Sequence, residues 1–316
     1  MTKYVKKNLL ITGGAGYIGS HLFYSLEKYY NIYIIDDLSN HKFNPIKHNL
    51  FYKINLLNLK KLDLFFLNNR IDIVIHLSSK INAAESVSRY NYYYRNIYLA
   101  SKNLLNICIK YKIKYFVFAS SAAVYGSYKN KFSEKDSLRP INPYGILKKK
   151  VEALIKKVSK GNFNYAILRF FNVAGISKNV LRDNLMSKSV ISIIINKYKT
   201  KKNFLLRGNN FLTKDGSSER DYIHVLDIVL IIKNVLIFLK KNNKNLVLNC
   251  GTGTKISIFD IIDVSKKEVK NFFLKIKFYK KRVLDPRSVT SNNKFLLKLN
   301  LIRKFRKINS IILSYI

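Results

Sequence analysis

The 316-residue sequence predicts an α/β protein whose first half forms a doubly wound parallel sheet. Two observations lead to this prediction: continuous apolar runs alternate with longer segments of helical periodicity, and the alternation stops after Gly175. Continuous apolar strands separated by helices are typical of parallel sheets that are covered on both faces and connected by right-handed crossovers. Beyond Gly175 short strands and helices mix, so we expect a smaller α+β lobe there.

The elements of the first half follow one another as strand and helix. The predicted strands are 8–12, 32–36, 71–76, 115–120 and 165–171, and the predicted helices are 20–29, 60–68, 92–111 and 143–157. We predict two units, 1–175 and 176–316, with some segments of the second packing back on the first. With only 4 prolines and no Gly/Ser-rich linker, they should form one rigid body. The basic segment from residue 294 onward shows no clear pattern.

The charge balance is strongly basic, with 58 Lys and Arg against 18 Asp and Glu, a net charge of +40. Such a surplus is often associated with nucleic-acid binding. Here the lysines are spread along the chain and no nucleic-acid recognition motif accompanies them, so we expect a generally basic surface without a dedicated nucleic-acid partner. A non-catalytic basic binding protein on the same fold remains an alternative, and salt-dependent retention on nucleic acid would favour it.

Cysteine content and hydropathy bound the cellular context. The chain has 2 cysteines, which indicate neither a disulfide framework nor a cysteine-based metal site. Its first residues lack the features of a signal peptide, and the apolar stretch 225–239 is too short and too often interrupted by polar residues to span a bilayer. We therefore expect a soluble cytoplasmic protein without a metal or a membrane partner.

A glycine-rich turn joins the first strand to the first helix. Residues 12–20, Thr-Gly-Gly-Ala-Gly-Tyr-Ile-Gly-Ser, match G-x-G-x-x-G at Gly14, Gly16 and Gly19 and G-x-x-G-x-x-G from Gly13. Such glycines allow a tight turn and a close approach of the backbone to a pyrophosphate. Asp36 ends the next strand, 36 − 16 = 20 residues after Gly16, where a carboxylate favours a ribose diol over a 2′-phosphate. These residues predict a Rossmann-type site for NAD.

A tyrosine and a lysine lie one helical turn apart in the segment 142–148. Asn142 is a suitable N-cap and Pro143 a suitable first helical residue, which places Tyr144 and Lys148 on the same face. Because a phenol ordinarily titrates near pH 10, it is a poor base at neutral pH. We expect a neighbouring ammonium and a positive nicotinamide ring to lower the pKa of Tyr144 and make it a general base.

Two serines end the fourth predicted strand. The carboxyl ends of parallel strands are where ligands bind in such sheets. Ser121 is therefore a candidate to bind a sugar hydroxyl and to relay its proton to Tyr144. We assign the alternative role, capping the following turn, to Ser120 rather than to Ser121.

An ordered set of motifs resembles one family. The set resembles the extended short-chain dehydrogenases/reductases, and among them the UDP-glucose 4-epimerase (UDP-galactose 4-epimerase) family, from about residue 8 to about residue 292. The motifs lie at 12–21, 36–40, 120–126 (Ser-Ser-Ala-Ala-Val-Tyr-Gly), 142–145, 168–175 (Leu-Arg-Phe-Phe-Asn-Val-Ala-Gly), 215–225 and 249–253.

The resemblance implies a role for each site residue. Tyr144 would be the catalytic base, Ser121 its hydroxyl partner and Lys148 the residue that binds the nicotinamide ribose. The implied cofactor-binding residues are Gly13, Gly16, Tyr17, Ile18, Gly19, Asp36, Asp37, Asn40, Asn55, Asn96, Tyr144, Lys148 and Phe171. The implied substrate-binding residues are Ser121, Tyr144, Asn172, Asn184, Leu185, Arg220, Arg282 and Asp285. An ion pair of Arg220 with its acidic sequence neighbours is the alternative for that residue.

The resemblance also implies an activity. A UDP-hexose would be oxidised at C4 by tightly bound NAD to a 4-keto sugar, which turns in the pocket and is reduced on its other face. This would interconvert UDP-glucose and UDP-galactose. Helices 92–111 and 143–157 resemble those of a four-helix homodimer interface in the family.

Several positions depart from the family pattern or discriminate within it. Asn55 replaces an aspartate that contacts adenine, Ile81 a lysine and Leu284 a glycine. Val289 stands where some members have a tyrosine that narrows the sugar pocket, so N-acetylated UDP-sugars such as UDP-N-acetylglucosamine are an alternative substrate class.

Related dehydratases and decarboxylases are excluded, because they need an acid where this chain has Ala122 and Ala123. A UDP-glucuronate 4-epimerase is a further alternative, which the hexose-type segment 171–175 disfavours.

Overall fold

The computed structural model describes residues 6–40, 46, 48–177, 189–281 and 284–316. Its strands within these residues are β1 (Asn8–Thr12), β2 (Asn31–Asp36), β3 (Phe51–Lys53), β4 (Ile73–His76), β5 (Tyr115–Ser121), β6 (Lys131–Phe132), β7 (Asn164–Phe170), β8 (Asn172–Ala174), β9 (Phe204–Arg207), β10 (Glu219–Arg220), β11 (Tyr222–His224), β12 (Leu246–Cys250), β13 (Ile256–Ser257), β14 (Ile276–Tyr279) and β15 (Ser288–Ser291).

The α-helices surround these strands. They are α1 (Tyr17–Leu26), α2 (Leu59–Asn68), α3 (Glu85–Ser88), α4 (Tyr90–Tyr93), α5 (Ala100–Lys110), α6 (Pro143–Val158), α7 (Val190–Lys199), α8 (Val225–Asn242), α9 (Ile258–Glu268), α10 (Lys294–Lys298) and α11 (Ile308–Leu313). A π-helix spans Tyr94–Leu99, and a 3-10 turn spans Ala122–Val124.

The main sheet confirms the predicted fold class. Its order is β3-β2-β1-β4-β5-β7-β12, and every neighbouring pair is parallel. All four residues of β4 are buried, which explains why the strands lack apolar–polar alternation. The order reverses between β1 and β4, and a doubly wound sheet has its ligand crevice at such a switch point.

Helices cover both faces of this sheet. One core contains Leu22 of α1 and Leu236 of α8, and the other contains Leu62 of α2, Leu104 of α5 and Leu147 of α6. These residues recur on the inward sides of their helices, as amphipathic patterning requires. The sheet is therefore buried on both faces, and its strand ends are the part left for ligands.

The predicted helix 92–111 is helical over residues 92–110, but its first half is not a regular α-helix. The segment Tyr94–Leu99 is π-helical, between α4 and α5. A π-turn adds one residue without moving the apolar face, and Tyr93, Ile97 and Ala100 all remain buried, so periodicity did not show it. Strand β3 was not predicted, because its three half-exposed or exposed residues carry no apolar run.

The chain after residue 175 builds smaller sheets and returns to the main one. Strands β13-β10-β15-β6 form a four-stranded sheet, and β8 pairs with β11 and β9 with β14. Strand β12 is the last strand of the main sheet and pairs with β7, and α8 packs against α1. The division at residue 175 into two units stays a prediction. In the basic segment, Ile311 and Ile312 of α11 are buried in a third core with α7 and α9.

The described residues contain neither a membrane-spanning helix nor a cluster of metal-ligating side chains. None of the helices found there has both the length and the apolar character that crossing a bilayer requires. In the same part of the chain, no three His, Cys, Asp or Glu side chains come together as metal ligands. Cys108 and Cys250 are buried free thiols.

The substitution Leu236→Ala tests the core between α8 and the sheet. Leu236 is fully buried, so the cavity should lower the free energy of unfolding in urea by about 2–5 kcal/mol. Leu64→Ala on α2 is the control, because Leu64 is 56% exposed and its truncation should cost less than about 0.5 kcal/mol. Equal effects of the two substitutions would contradict the described core.

Candidate active site

The candidate residues meet at the carboxyl edge of the main sheet. Thr12, which ends β1, pairs with Ile35 of β2 and with His76 of β4, and Ser121 of β5 pairs with Phe170 of β7. The register therefore brings the glycine turn, the end of β2 and the serine pair to one side of the molecule. This is the edge at which such sheets bind ligands.

The glycine turn forms a cradle with no room for side chains. Gly13 has φ +70°, and a Cβ there would lie 2.7 Å from the backbone nitrogen of Ser78. A Cβ on Gly19 would lie 2.6 Å from the carbonyl oxygen of Gly13. Helix α1 starts directly after Gly16, and no described side chain caps it. The turn thus presents backbone N–H groups at a positive helix end, which fits a pyrophosphate.

Asp36 lies beside this cradle at the end of β2. Its carboxylate accepts hydrogen bonds from the backbone N–H of Ala15 at 3.1 Å and of Leu38 at 2.8 Å. These bonds hold the carboxylate in one orientation against the glycine turn. A fixed acceptor at this position suits a ribose diol and repels a 2′-phosphate.

A polar cluster follows Asp36. The carboxylate of Asp37 accepts from the Ser39 N–H at 3.0 Å and from the side-chain amide of Asn55 at 2.9 Å. The Lys80 ammonium donates to Ser39 Oγ and to Asn40 Oδ1, both at 2.9 Å. An aspartate at position 55 would place a second carboxylate against Asp37, whereas the amide donates to it. The amide of Asn55, which departs from the family pattern, therefore suits the neighbouring carboxylate of Asp37.

The other predicted cofactor residues begin α1, lie on the π-helix or follow β7. Tyr17 and Ile18 begin α1, and the Tyr17 hydroxyl donates to the carbonyl oxygen of Gly175. Asn96 lies on the π-helix, an element that often marks functional sites. Phe171 is buried just after β7. Tyr17, Ile18 and Phe171 thus follow strand ends at the carboxyl edge of the main sheet.

Tyr144 and Lys148 lie on α6 as the spacing predicts. The helix starts with the predicted cap, since the side chain of Asn142 accepts from the N–H of Gly145 at 2.9 Å. The Lys148 ammonium donates to the carbonyl oxygen of Ala119 at 2.7 Å and lies 5.9 Å from the centre of the Tyr144 ring. The pair is therefore fixed against the end of β5.

The electrostatics of the pair differ from the prediction. Tyr144 is 8% exposed, and burial raises its pKa above the usual value, while the Ser121 hydroxyl acts to lower it. Burial also lowers the pKa of Lys148 to about 7, and Glu152 opposes this shift. Desolvation disfavours the charged form of both groups, so in the chain alone the ammonium does not make Tyr144 acidic.

Ser121, the predicted hydroxyl partner of Tyr144, interacts with that phenol and also caps the turn after β5. Ser121 Oγ accepts from the backbone N–H of Ala123 at 3.2 Å and so caps the 3-10 turn. Ser120 Oγ donates to Glu152 Oε1 at 2.5 Å, which makes the assignment of Ser120 as the cap wrong. Alternation along β5 is the reason, because successive side chains point to opposite faces and only Ser120 faces Glu152.

On the substrate side, Arg220 and Asp285 lie in contact. The guanidinium of Arg220 donates to Asp285 Oδ1 at 2.5 Å and to the carbonyl oxygen of Glu219 at 2.8 Å. The alternative ion pair with the acidic side chains next to it in sequence is not observed. Asn172 has an exposed side chain, and its N–H donates to the carbonyl oxygen of Asp221 at 2.9 Å. The predicted residues Asn184, Leu185 and Arg282 lie outside the described residues.

The structure also describes the other positions at which this chain differs from the family pattern. Leu284 has φ +60°, so the loop keeps the left-handed backbone that glycine favours although a leucine occupies it. Ile81 is 69% exposed. Val289 is buried and packs in one cluster with Ala122 and Phe171, next to the serine end of β5.

Three buried charged residues were missed by the sequence analysis. Glu152 and Arg169 form an ion pair at 2.7 Å beneath the tyrosine and lysine. The carboxylate of Asp221 accepts from the N–H and hydroxyl of Thr252 at 2.8 and 2.7 Å and from the hydroxyl of Ser291 at 2.6 Å. The spacing 144, 148 and 152 was the available signal for Glu152. For Asp221 the only signal was its place inside the motif 215–225.

Comparison with known proteins identifies similar chains. A model of the NAD dependent epimerase/dehydratase family matches residues 9–251. A UDP-glucose 4-epimerase of Halalkalibacterium halodurans is 31% identical over 265 residues, which are 82% of this chain and 79% of that protein. The structure of the UDP-glucose 4-epimerase from Brucella ovis in complex with NAD has a TM-score of 0.89 at 26% identity, covering 97% of this chain and 96% of that one. The UDP-Glc/GlcNAc 4-epimerase from Campylobacter jejuni has a TM-score of 0.80 at 29% identity, and 98% of each chain is covered.

The substitution Gly19→Ala tests the cradle. The added Cβ would lie 2.6 Å from backbone atoms of Gly13 and Gly14, which must move apart. With a strain of about 1–3 kcal/mol, dinucleotide affinity should fall by about 10- to 100-fold, as measured by calorimetry on protein stripped of nucleotide. Gly161→Asn is the control, because nothing lies within 4 Å of its Cβ position and asparagine tolerates its φ of +73°. Unchanged dinucleotide affinity in Gly19→Ala would show that the glycine turn does not bind the dinucleotide.

Proposed function

Because the chain belongs to the NAD dependent epimerase/dehydratase family, we propose that its carboxyl-edge site interconverts UDP-glucose and UDP-galactose. The enzyme is an NAD-dependent UDP-glucose 4-epimerase, an isomerase that oxidises C4 of the sugar transiently. The observation that carries this function is the contact of Tyr144 with Lys148 and Ser121 at the sheet edge that also holds the glycine cradle. A relative that is 31% identical to this chain is itself named UDP-glucose 4-epimerase, which supports the same activity here.

Tyr144, Ser121 and Lys148 have separate roles in the reaction. When bound, NAD supplies a reversible hydride acceptor and a positive charge. Tyr144 removes the proton of the C4 hydroxyl, with Ser121 as hydrogen-bond partner of both oxygens, and returns it at the end of the cycle. Lys148 uses one of its three N–H donors on the carbonyl of Ala119, which leaves two for the nicotinamide ribose. Because burial alone raises the pKa of Tyr144, the charges of Lys148 and of the cofactor must together lower it.

The cofactor is held by the residues around the cradle. Gly13, Gly16 and Gly19 admit the pyrophosphate, and Asp36 accepts from the adenosine ribose, with Asp37, Asn40 and Asn55 beside it. Tyr17, Ile18, Asn96 and Phe171 complete the crevice. The fixed acceptor of Asp36 supports NAD rather than NADP. Because the reaction regenerates the cofactor in each cycle, the cofactor need not leave the site.

The UDP moiety is assigned to the side of Arg220 and Asp285. A guanidinium matches the bidentate geometry of a phosphate, and Asp285 can release it to accept from a ribose hydroxyl. Asn172 contributes an exposed amide, and Asn184, Leu185 and Arg282 complete the set by family resemblance.

The side chain of Val289 favours N-acetylated UDP-hexoses as a second class of substrate. Val289 packs with Ala122 and Phe171 beside Ser121, where a larger side chain would narrow the space for the hexose. We therefore propose that N-acetylated UDP-hexoses are also accepted. Ala122 and Ala123 provide no acid beside Tyr144, so dehydration is not supported.

We also propose a homodimer and a cytoplasmic location. The segments 92–111 and 143–157 carry the dimer proposal by their resemblance to a family interface, and α6 and the π-helix pack against each other in the structure. The stacked rings of Tyr90, Tyr94 and Tyr98 form a partly exposed row that begins two residues before the first of these segments and continues along it. Two buried free cysteines are consistent with a reducing compartment.

Conversion of UDP-galactose tests the function. Purified protein without added cofactor should form UDP-glucose, because NAD is retained from the cell. Tyr144→Phe should lower turnover by about 10²- to 10⁴-fold while the bound NAD and the unfolding midpoint stay close to wild type. Wild-type protein that carries NAD but forms no UDP-glucose would refute the activity, and an active Tyr144→Phe variant would refute the assigned base.

The substitution Val289→Tyr tests the sugar pocket. Turnover of UDP-N-acetylglucosamine relative to UDP-glucose should fall by about 10- to 200-fold, because a filled pocket rejects the bulkier sugar. Val289→Ile is the control, since it keeps the branched shape and should change the ratio little. A constant ratio in Val289→Tyr would show that residue 289 does not limit the sugar.

A further inference from the structure

Three successive turns of α6 contact three successive residues at the end of β5. Tyr144 interacts with Ser121, Lys148 donates to the carbonyl of Ala119, and Glu152 accepts from the hydroxyl of Ser120. We infer that Glu152 is a positioning residue of the epimerase reaction, which locks α6 against β5 and supplies the negative charge next to Lys148. This inference rests on the proposed function.

The contacts of Glu152 leave it one orientation. Its Oε1 accepts from Ser120 Oγ at 2.5 Å and from Arg169 Nε at 3.1 Å, and its Oε2 accepts from Arg169 Nη2 at 2.7 Å. The side chains of Glu152 and Arg169 are 1% and 2% exposed. A bidentate pair between a planar fork and a carboxylate fixes both the position and the rotation of the partners. The helix therefore cannot slide along β5 without breaking these bonds.

Arg169 anchors this contact to the rest of the sheet. Its Nη1 donates to the hydroxyl of Tyr125 at 2.7 Å and to the carbonyl oxygen of Glu134 at 3.3 Å. The Tyr125 hydroxyl donates in turn to Asn249 Oδ1 at 2.7 Å. The network thus joins α6 to β5, β7 and β12. Helix α6 takes its register from three neighbouring strands at once.

Stability alone does not account for a charged pair at this place. Buried ion pairs pay a large desolvation cost, and apolar residues of similar size often replace them without loss of stability. Glu152 lies one helical turn from Lys148, and its charge raises the pKa of that lysine while burial lowers it. The role of the Glu152–Arg169 pair is therefore to place a negative charge beside Lys148, which favours the protonated form of that lysine.

The surroundings of Lys148 contain few other charges among the described residues. Tyr144 and Glu152 face it from its own helix, and Arg169 of β7 lies behind Glu152. His76 of β4 also senses Lys148, but burial lowers the pKa of His76 to about 3, which keeps it neutral. The negative charge that acts on Lys148 within this part of the chain is that of Glu152.

The double variant Glu152→Met/Arg169→Met tests the inference in the NAD-loaded enzyme. It removes both charges together, so no unpaired charge remains buried. We expect kcat at neutral pH to fall by about 10- to 100-fold with KM nearly unchanged, because the base and the lysine are misplaced. The alkaline limb of the kcat profile should move to lower pH, because Lys148 loses its proton more readily.

A readout without turnover separates this inference from the proposed function. Ionisation of Tyr144 is followed in the NAD-loaded protein as the tyrosinate absorbance lost on Tyr144→Phe. In the double variant it should move to higher pH, because the neighbouring ammonium is depleted. This shift is expected even if wild-type protein converts no UDP-galactose, an outcome that would refute only the proposed function.

Two further variants keep the test decisive. Leu236→Ala destabilises the opposite core and should leave kcat and the tyrosine titration unchanged. If the double variant does not fold, Ser120→Ala removes one contact of Glu152 and keeps the ion pair, and the same drop in kcat at constant KM is expected at smaller size. A double variant, or in its place Ser120→Ala, with wild-type kcat and tyrosine titration would overturn the role of Glu152.

Discussion

The site depends on the register of one helix against the end of one strand. Helix α6 presents Tyr144, Lys148 and Glu152 at intervals of one turn, and each contacts the last residues of β5. Because only β4 separates β5 from β1 in the parallel sheet, this register also fixes the distance of the phenol from the glycine cradle at the end of β1. A slip of one turn would move the phenol by about 5.4 Å, too far to reach the same sugar hydroxyl.

Burial works against the chemistry, and the structure compensates for it. Desolvation raises the pKa of Tyr144 and lowers that of Lys148, so neither group is in its useful charge state without help. Ser121 acts on the phenol and Glu152 on the ammonium, both in the favourable direction. The remaining charge is that of the bound cofactor, which couples the base to the loaded enzyme.

The sequence predicted the local parts of the site well, because glycine turns, caps and one-turn spacings involve neighbours in the chain. The sheet, the Asn142 cap and the pairing of Tyr144 with Lys148 were confirmed. The role of Ser120 was wrong, because its partner lies 32 residues away on another element. The ion pair of Arg220 with Asp285 spans 65 residues, and no local pattern signals such a contact. The π-helix escaped because its extra residue leaves the apolar face unchanged.

The most direct measurement of the central claim is the structure of the wild-type chain with NAD and UDP-glucose bound. It should place the Tyr144 oxygen and Ser121 Oγ within about 3 Å of the C4 oxygen of the sugar. Lys148 should still donate to Ala119 while it contacts the nicotinamide ribose. A sugar whose C4 hydroxyl faces another acid or base, with Tyr144 far from it, would contradict the account.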